Sequence, residues 1–326
     1  MNGMENKKNK LTIAIPTYNR AIAVDSLICQ LFSYIEQGLS FDIFVCDNAS
    51  LDSTARVVKK WMGKIPTLSY YRQSKNVGAD LNFLTCYMNF TTPYLWLLGD
   101  TRIISYNEMR FLLNELDKGY DAFILCCHPL MRLPLKIYTD INDLVSEQGW
   151  HITNMASCII SQQFAIVDVY ERYLNTNFIQ LGGFIEYLSR LNSFKVEYIN
   201  HEAVYVTGFE VKGFDKRMTS WYSKVISIGA MCWYMTIMSL PNSINLSVKE
   251  KVLMDHARYN PILSSVFFII HIADKDMVFI NEYKQYKKYL KFVSTVPMWK
   301  YNIIMHTAWI WRIIVILKRA CDKILK

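Results

Sequence analysis

Asp100 is the residue in this chain best placed by its neighbours to do chemistry. It follows Leu95-Trp96-Leu97-Leu98-Gly99, an apolar run that reads as a strand buried on both faces and stopped at a glycine. Ligands of open α/β sheets bind outside the carboxyl ends of the strands, so a carboxylate released there stands at the expected place. An exposed turn carboxylate explains the Gly-Asp pair equally well. What favours chemistry is the company upstream: Thr17-Tyr18-Asn19-Arg20, Asp47-Asn48-Ala49-Ser50 and Lys75-Asn76-Val77-Gly78 each follow an apolar segment. Three polar clusters at successive strand ends fit a nucleotide site, although each alone reads as an ordinary loop.

The elements that must position these clusters alternate regularly. Leu11 to Pro16 reads as a strand and Ala21 to Gln37 as a helix closed by Gly38. Phe41 to Cys46 is a second strand, and a helix capped by Asp52 or Ser53 runs to about Met62. Leu68 to Arg72, a helix from about Asp80 to Phe90, and Tyr94 to Leu98 complete four strand–helix alternations, the pattern of a doubly wound, mostly parallel sheet. No Gly-x-Gly-x-x-Gly fingerprint is present, which disfavours an ordinary dinucleotide site.

Beyond Arg102 the chain reads as a helix from Asn107 to Lys118, a strand from Asp121 to Cys127, and mixed polar sequence over 136–150 ending on Gly149-Trp150-His151. Trp150 suits either an acceptor-side loop or the core. Ser157 to Ser161 reads as a strand, Val167 to Tyr173 as a helix, and Phe178 to Arg190 as a loop leading into a helix. Phe194 to Tyr198 and Ala203 to Thr207 read as a closing strand pair, and residues 208–218 have the make-up of a mobile loop. Two regions are expected: 1–215, carrying the sheet, and 216–326, helical and apolar.

The formal charge of +8 points to an anionic partner, and nucleic acid is disfavoured because no compact basic stripe appears. Eight cysteines lie without Cys-x-x-Cys spacing, as buried free thiols of a reducing compartment would. No apolar run reaches the roughly 18 residues of a membrane span, so a cytoplasmic protein is expected. From Trp299 onward, Lys300, Arg312, Lys318, Arg319, Lys323 and Lys326 stand against Asp322 alone, interleaved with Trp309 and Trp311. That composition suits either the surface of an anionic inner membrane or packing within a domain or an oligomer.

Taken together, Ile15 to Arg20, Cys46 to Thr54, Lys75 to Gly78 with Asn82-Phe83, and Trp96 to Asp100 resemble the family 2 glycosyltransferases of GT-A fold. The bacterial O-antigen and capsule enzymes are the nearest in flavour. The resemblance covers about residues 11 to 105, thins to about 210 and is absent beyond. It implies that Pro16, Thr17 and Tyr18 line the base and ribose of a UDP-sugar, with Arg20 nearby. Asp47 would accept from the base, with Asn48 beside it. Lys75, Asn76 and Gly78 would border the nucleotide, with Asp80 or Asn82 near the donor sugar. Asp100 matches the first acid of the family's Asp-x-Asp metal motif, but Arg102 replaces the second. A divalent cation, Mn or Mg, on Asp100 and a metal-free site with Arg102 supplying the positive charge are both open, as is an Arg102–Asp100 ion pair. Glu186 is the available counterpart of the family's proton acceptor, and a surface Glu186–Arg190 pair explains it as well. The expected activity is sugar transfer from a UDP-sugar to a hydroxyl of a glycan or lipid-linked saccharide, with inversion. An inactive relative that binds nucleotide-sugar or glycan is the alternative.

Overall fold

The computed structural model describes residues 8–127, 131, 133–200, 207–208 and 224–324. Two compact units divide the chain, Met1–Gly213 and Phe214–Lys326.

In the first unit, β1 (Leu11–Thr17), β2 (Asp42–Asp47), β3 (Leu68–Arg72) and β4 (Tyr94–Leu97) alternate with helices α1 (Ala21–Glu36), α2 (Thr54–Met62) and α3 (Ala79–Met88). These four strands are parallel in the order β3-β2-β1-β4, so the order reverses beside β1. Every residue of β1 is buried, whereas edge strand β3 buries only Leu68, which is why β1 reads as a continuous apolar run and β3 does not. Leu11, Ile13 and Ile15 sit at 0% exposure; each such side chain contributes about 1.5–3 kcal/mol by leaving water. Trp96 is equally buried, and its indole N–H donates to the Ala156 carbonyl at 2.8 Å.

After β4 come β5 (Arg102–Ile103), α4 (Tyr106–Glu115), β6 (Ala122–Leu125), β7 (Lys136–Tyr138), α5 (Ile141–Gln148), β8 (Cys158–Ser161), α6 (Val167–Glu171), α7 (Ile179–Ser189), β9 (Val196–Ile199) and β10 (Thr207–Gly208). The sheet continues β4-β8-β6-β9-β7, with β6 and β9 parallel and the other pairs antiparallel. The mostly parallel sheet is therefore as expected. A reciprocal capping box of Ser105 and Glu108 starts α4.

The segment 136–150 departs from expectation. It forms β7 and α5, with Asp140 accepting from the backbone of Asn142 and Asp143 at the helix start. Trp150 packs into the interior, 9% exposed, so the acceptor-loop reading of that tryptophan falls. The closing strand expected at 203–207 is described only at Thr207 and Gly208, which pair with β5. The rest of it, and the expected mobile loop beyond Gly208, lie outside the described residues. All eight cysteines are free.

The second unit is helical: α8 (Trp233–Ser239), α9 (Leu246–Tyr259), α10 (Ser265–Ala273), α11 (Met277–Tyr286), α12 (Leu290–Val293), α13 (Met298–His306) and α14 (Ala308–Ile324). The Glu282 carboxylate accepts from the Ile226 and Ser227 N–H groups at 3.0 Å each, and so fixes the start of the segment leading into α8. His256 lies buried against Trp233, ring centres 5.2 Å apart, and burial pulls it down to about 4, so it is neutral at ordinary pH. His306 is exposed on α13, a surface residue as expected.

Candidate nucleotide-sugar site

Strand register brings the polar corners together. Thr17 pairs with Asp47 across β1 and β2, and Ala14 pairs with Leu97 across β1 and β4. Three residues further on along both β1 and β4, the Thr17 hydroxyl donates to Asp100 Oδ2 at 2.8 Å. Asn48 N–H donates to the Thr17 carbonyl at 2.9 Å. The Asn48 amide donates to Asn76 Oδ1 at 3.0 Å and to the Gly78 carbonyl at 3.2 Å, while Val77 N–H donates to Asn48 Oδ1 at 2.8 Å. Direct hydrogen bonds therefore link the ends of β1, β2 and β4 and the loop after β3. The loops themselves interlock. Asn19 N–H donates to Ser50 Oγ at 2.8 Å, Leu51 N–H to Asn19 Oδ1 at 2.7 Å and Ala21 N–H to Asp52 Oδ2 at 3.0 Å. Asn19 and Ala49 adopt φ of 53° and 62°, left-handed backbone that non-glycine residues hold only where surroundings impose it. Gly78 has φ +85° and ψ 171°, a region side chains rarely enter, and it opens α3.

The carboxylates in this corner are not alike. Asp100 is 3% exposed, and Arg20 Nη1 lies 2.7 Å from its Oδ1. Burial raises its pKa, opposed by the Arg20 guanidinium and the Thr17 bond. The guanidinium that meets Asp100 is Arg20, whereas the sequence left an Arg102–Asp100 pair as one of its open readings. Arg102 lies in β5, and its Cγ is 3.5 Å from where a Cβ on Gly99 would sit. Asp47 is fully buried: Oδ1 accepts from Ser50 N–H at 2.8 Å and Oδ2 from the Tyr70 hydroxyl at 2.6 Å, with Arg72 Nε at 3.6 Å. Burial first, then Asp47, pushes the Tyr70 hydroxyl upward, so it stays a donor.

Among the other anticipated residues, Pro16 lies in β1 beside Cys46, Tyr18 is 39% exposed at the corner, and Lys75 is exposed on the loop after β3. Asn82 is buried and serves β2, donating to the Cys46 carbonyl at 3.0 Å and accepting from the Cys46 thiol at 3.1 Å. Glu186 is held apart from the corner's bonds. Its carboxylate meets Arg172 at 3.1 Å, Arg190 at 3.2 Å and the Tyr173 hydroxyl at 2.9 Å.

Two further residues with open acceptors were only brushed or missed in the sequence. Asp80, 7% exposed in the first turn of α3, accepts from Asn177 N–H at 3.0 Å through Oδ2, while Oδ1 is buried without a hydrogen-bond partner. Burial pushes its carboxyl up to about 6. Gln180, 8% exposed at the start of α7, donates to the Thr153 carbonyl at 2.7 Å and leaves Oε1 without one. Met155, two residues beyond Thr153, has its methyl 3.5 Å from a Cβ built on Gly99. Buried acceptors left open are uncommon and suit a hydroxylated ligand. No spacing rule marks Gln180; it is the chain's path after β8 that brings α7 here.

A divalent cation takes several oxygen ligands, commonly carboxylates with substrate phosphates. Asp100 already carries Arg20, and among the described residues no three His, Cys, Asp or Glu side chains gather as a metal site. Asp100 is the one carboxylate of this corner placed to share a cation with substrate phosphates, and its contact with Arg20 would have to open for it to do so.

A mostly parallel sheet with this corner at its reversal point, followed by a helical region, is a GT-A-type fold. Residues 12–130 match the family model described as glycosyl transferase family 2. Abequosyltransferase RfbV of Salmonella typhimurium is 28% identical over 35% of this chain and 34% of its own length. An uncharacterized glycosyltransferase of Mycoplasma pneumoniae is 25% identical over 40% of this chain and 45% of its own. The chain thus spans less than half the length of these curated relatives. Among solved structures, S. aureus TarS 1-349 in complex with UDP-GlcNAc superposes with a TM-score of 0.61 at 14% identity, over 93% of this chain and 88% of that one. The mannosyltransferase PcManGT of Pyrobaculum calidifontis, in complex with GDP-Man and Mn2+, gives 0.52 at 13% identity, over 94% and 88%.

Proposed function

We propose that this protein transfers a sugar from a UDP-sugar to a hydroxyl of a saccharide acceptor carried on lipid, with inversion at the anomeric carbon. The observation that carries the reading is the hydrogen-bonded circuit from Asp100 through Thr17 and Asn48 to Asn76 and Gly78, at the carboxyl ends of the parallel strands. Pro16, Thr17 and Tyr18 line the base and ribose side, with Asp47 holding that wall rigid through Tyr70 and Ser50. Lys75 and Asn76 border the diphosphate. The open Oδ1 of Asp80 accepts a hydroxyl of the donor sugar. Arg20 and Arg102 bring positive charge to the leaving diphosphate, the function a cation on Asp100 would otherwise have. Glu186, the residue the family resemblance points to as proton acceptor, shares its lone pairs among Arg172, Arg190 and Tyr173. As the acceptor hydroxyl attacks the anomeric carbon, its proton passes to Glu186 once the carboxylate gives up one of these contacts; a staple between α6 and α7 is the competing role.

Calorimetric titration with UDP, GDP and CDP and their common sugar conjugates, with and without EDTA, tests the site. Tightest binding to a uridine nucleotide that survives EDTA is the expected result; no binding to any of them ends the reading. Release of UDP with an acceptor, followed by NMR of the anomeric proton, reports turnover and stereochemistry. A second reading, nucleotide-sugar binding without turnover, draws on Arg20 occupying the sole acid of the truncated motif. It predicts binding with no UDP release.

A further inference from the structure

The last helix of the second unit presents apolar side chains to water in an ordered way. Trp309, Ile313, Ile316 and Leu317 of α14 are 64, 52, 64 and 60% exposed. At about 100° per residue these positions share an arc of about 100°, while α14 also packs on α10. The helix before it, α13, adds an exposed pair one turn apart, Trp299 at 62% and Ile303 at 49%. Such side chains would cost about 25 cal/mol per Å² in water if nothing covered them. Lys300 is exposed on α13 beside that pair, and the sequence from Trp299 to the end carries a marked basic excess.

Charge decides what covers the arc. A second copy meeting this one about a two-fold axis would bring like charges against each other. An anionic lipid surface supplies the opposite charge and a layer in which tryptophan side chains are favoured. No helix among the described residues is long and apolar enough to cross a membrane, and a helix of 17 residues with one apolar arc lies in the headgroup layer instead. We infer that the α13–α14 face docks onto an anionic membrane surface. The inference stands apart from the sugar-transfer reading, since vesicle binding needs neither donor nor turnover.

The test is flotation of the full chain with vesicles of phosphatidylcholine alone and of phosphatidylcholine mixed with phosphatidylglycerol. Binding is expected to the mixed vesicles, released by high salt, and little to the neutral ones. K300Q weakens it about fivefold, and W309S combined with L317S abolishes it; circular dichroism and a gel-filtration profile verify that each variant is folded. Equal binding to both vesicle types, or binding indifferent to these exchanges, overturns the proposal. So does a wild-type chain that ignores vesicles and elutes as a dimer that W309S/L317S converts to monomer, because the arc is then a contact between copies.

Discussion

The corner where β1, β2 and β4 end and the seam between α6 and α7 both set a carboxylate against arginine, but they are built differently. At the corner, Asp100 meets Thr17 and Arg20 from 83 and 80 residues away in sequence, with one arginine and one hydroxyl. At the seam, Glu186 meets Arg190, Tyr173 and Arg172 within 4, 13 and 14 residues. A local cluster of this kind costs little loop-closure entropy and secures two neighbouring helices. A convergence across three strand ends, with an open acceptor at Asp80, is what a ligand site requires. On the proposed reading the same residue types serve architecture in one place and recognition in the other, and the number of partners and their reach are what differ.

The sharpest way to break that contrast is Asp100→Asn. We expect kcat/KM for UDP-sugar transfer to fall about 100- to 1000-fold, the scale of losing a positioned electrostatic group, with the uridine-nucleotide affinity changed far less. A rate within threefold of wild type would put Asp100 on the architectural side of the comparison.

Asp80 tests the corner by pH. Burial holds its carboxyl at about 6 against an ordinary 3.8. A raised folded-state pKa stabilises the fold fully below the ordinary value, and that contribution is lost as pH climbs through 6. The loss is on the order of 3 kcal/mol between about pH 4 and pH 7. Asp80→Asn removes this dependence, so in urea unfolding the variant should match wild type near pH 4 and exceed it at pH 8. Parallel curves for the two proteins would mean that Asp80 does not titrate there.

Legibility from sequence followed the same divide. The strand–helix alternation of β1 to β4 could be read nearly to the residue because each strand is apolar, short and punctuated by polar turn formers. The corner residues were readable as clusters at strand ends. That Arg20 reaches Asp100 was not, because the two stand 80 residues apart in sequence and only the fold brings them together. Tyr70 and Arg72 carried a signal that a register would have exposed: alternate residues of one strand, with Arg72 paired to Asp47. Over 136–150 the pattern was too short and polar to betray β7 and α5, which tertiary contacts stabilise. The start of α7 is similar, for nothing near Gln180 in the sequence announces that Thr153 lies beside it.

The seam supplies the smallest effect and the finest discrimination. Glu186→Gln keeps the size and two acceptor or donor positions but removes the charge between Arg172 and Arg190, whose side chains are 55 and 46% exposed. Solvent screening at those arginines limits the loss to about 1 kcal/mol, read as a lower urea midpoint with an unchanged slope. If Glu186 only joins α6 to α7, the transfer rate at saturating donor and acceptor stays within a fewfold of wild type. If instead it accepts the acceptor's proton, the rate falls at least a hundredfold and the alkaline plateau of the pH profile disappears. The two outcomes are far enough apart to separate by one kinetic measurement. The rate-loss outcome would also show that an arginine-crowded carboxylate can sit on the catalytic side of the division drawn here.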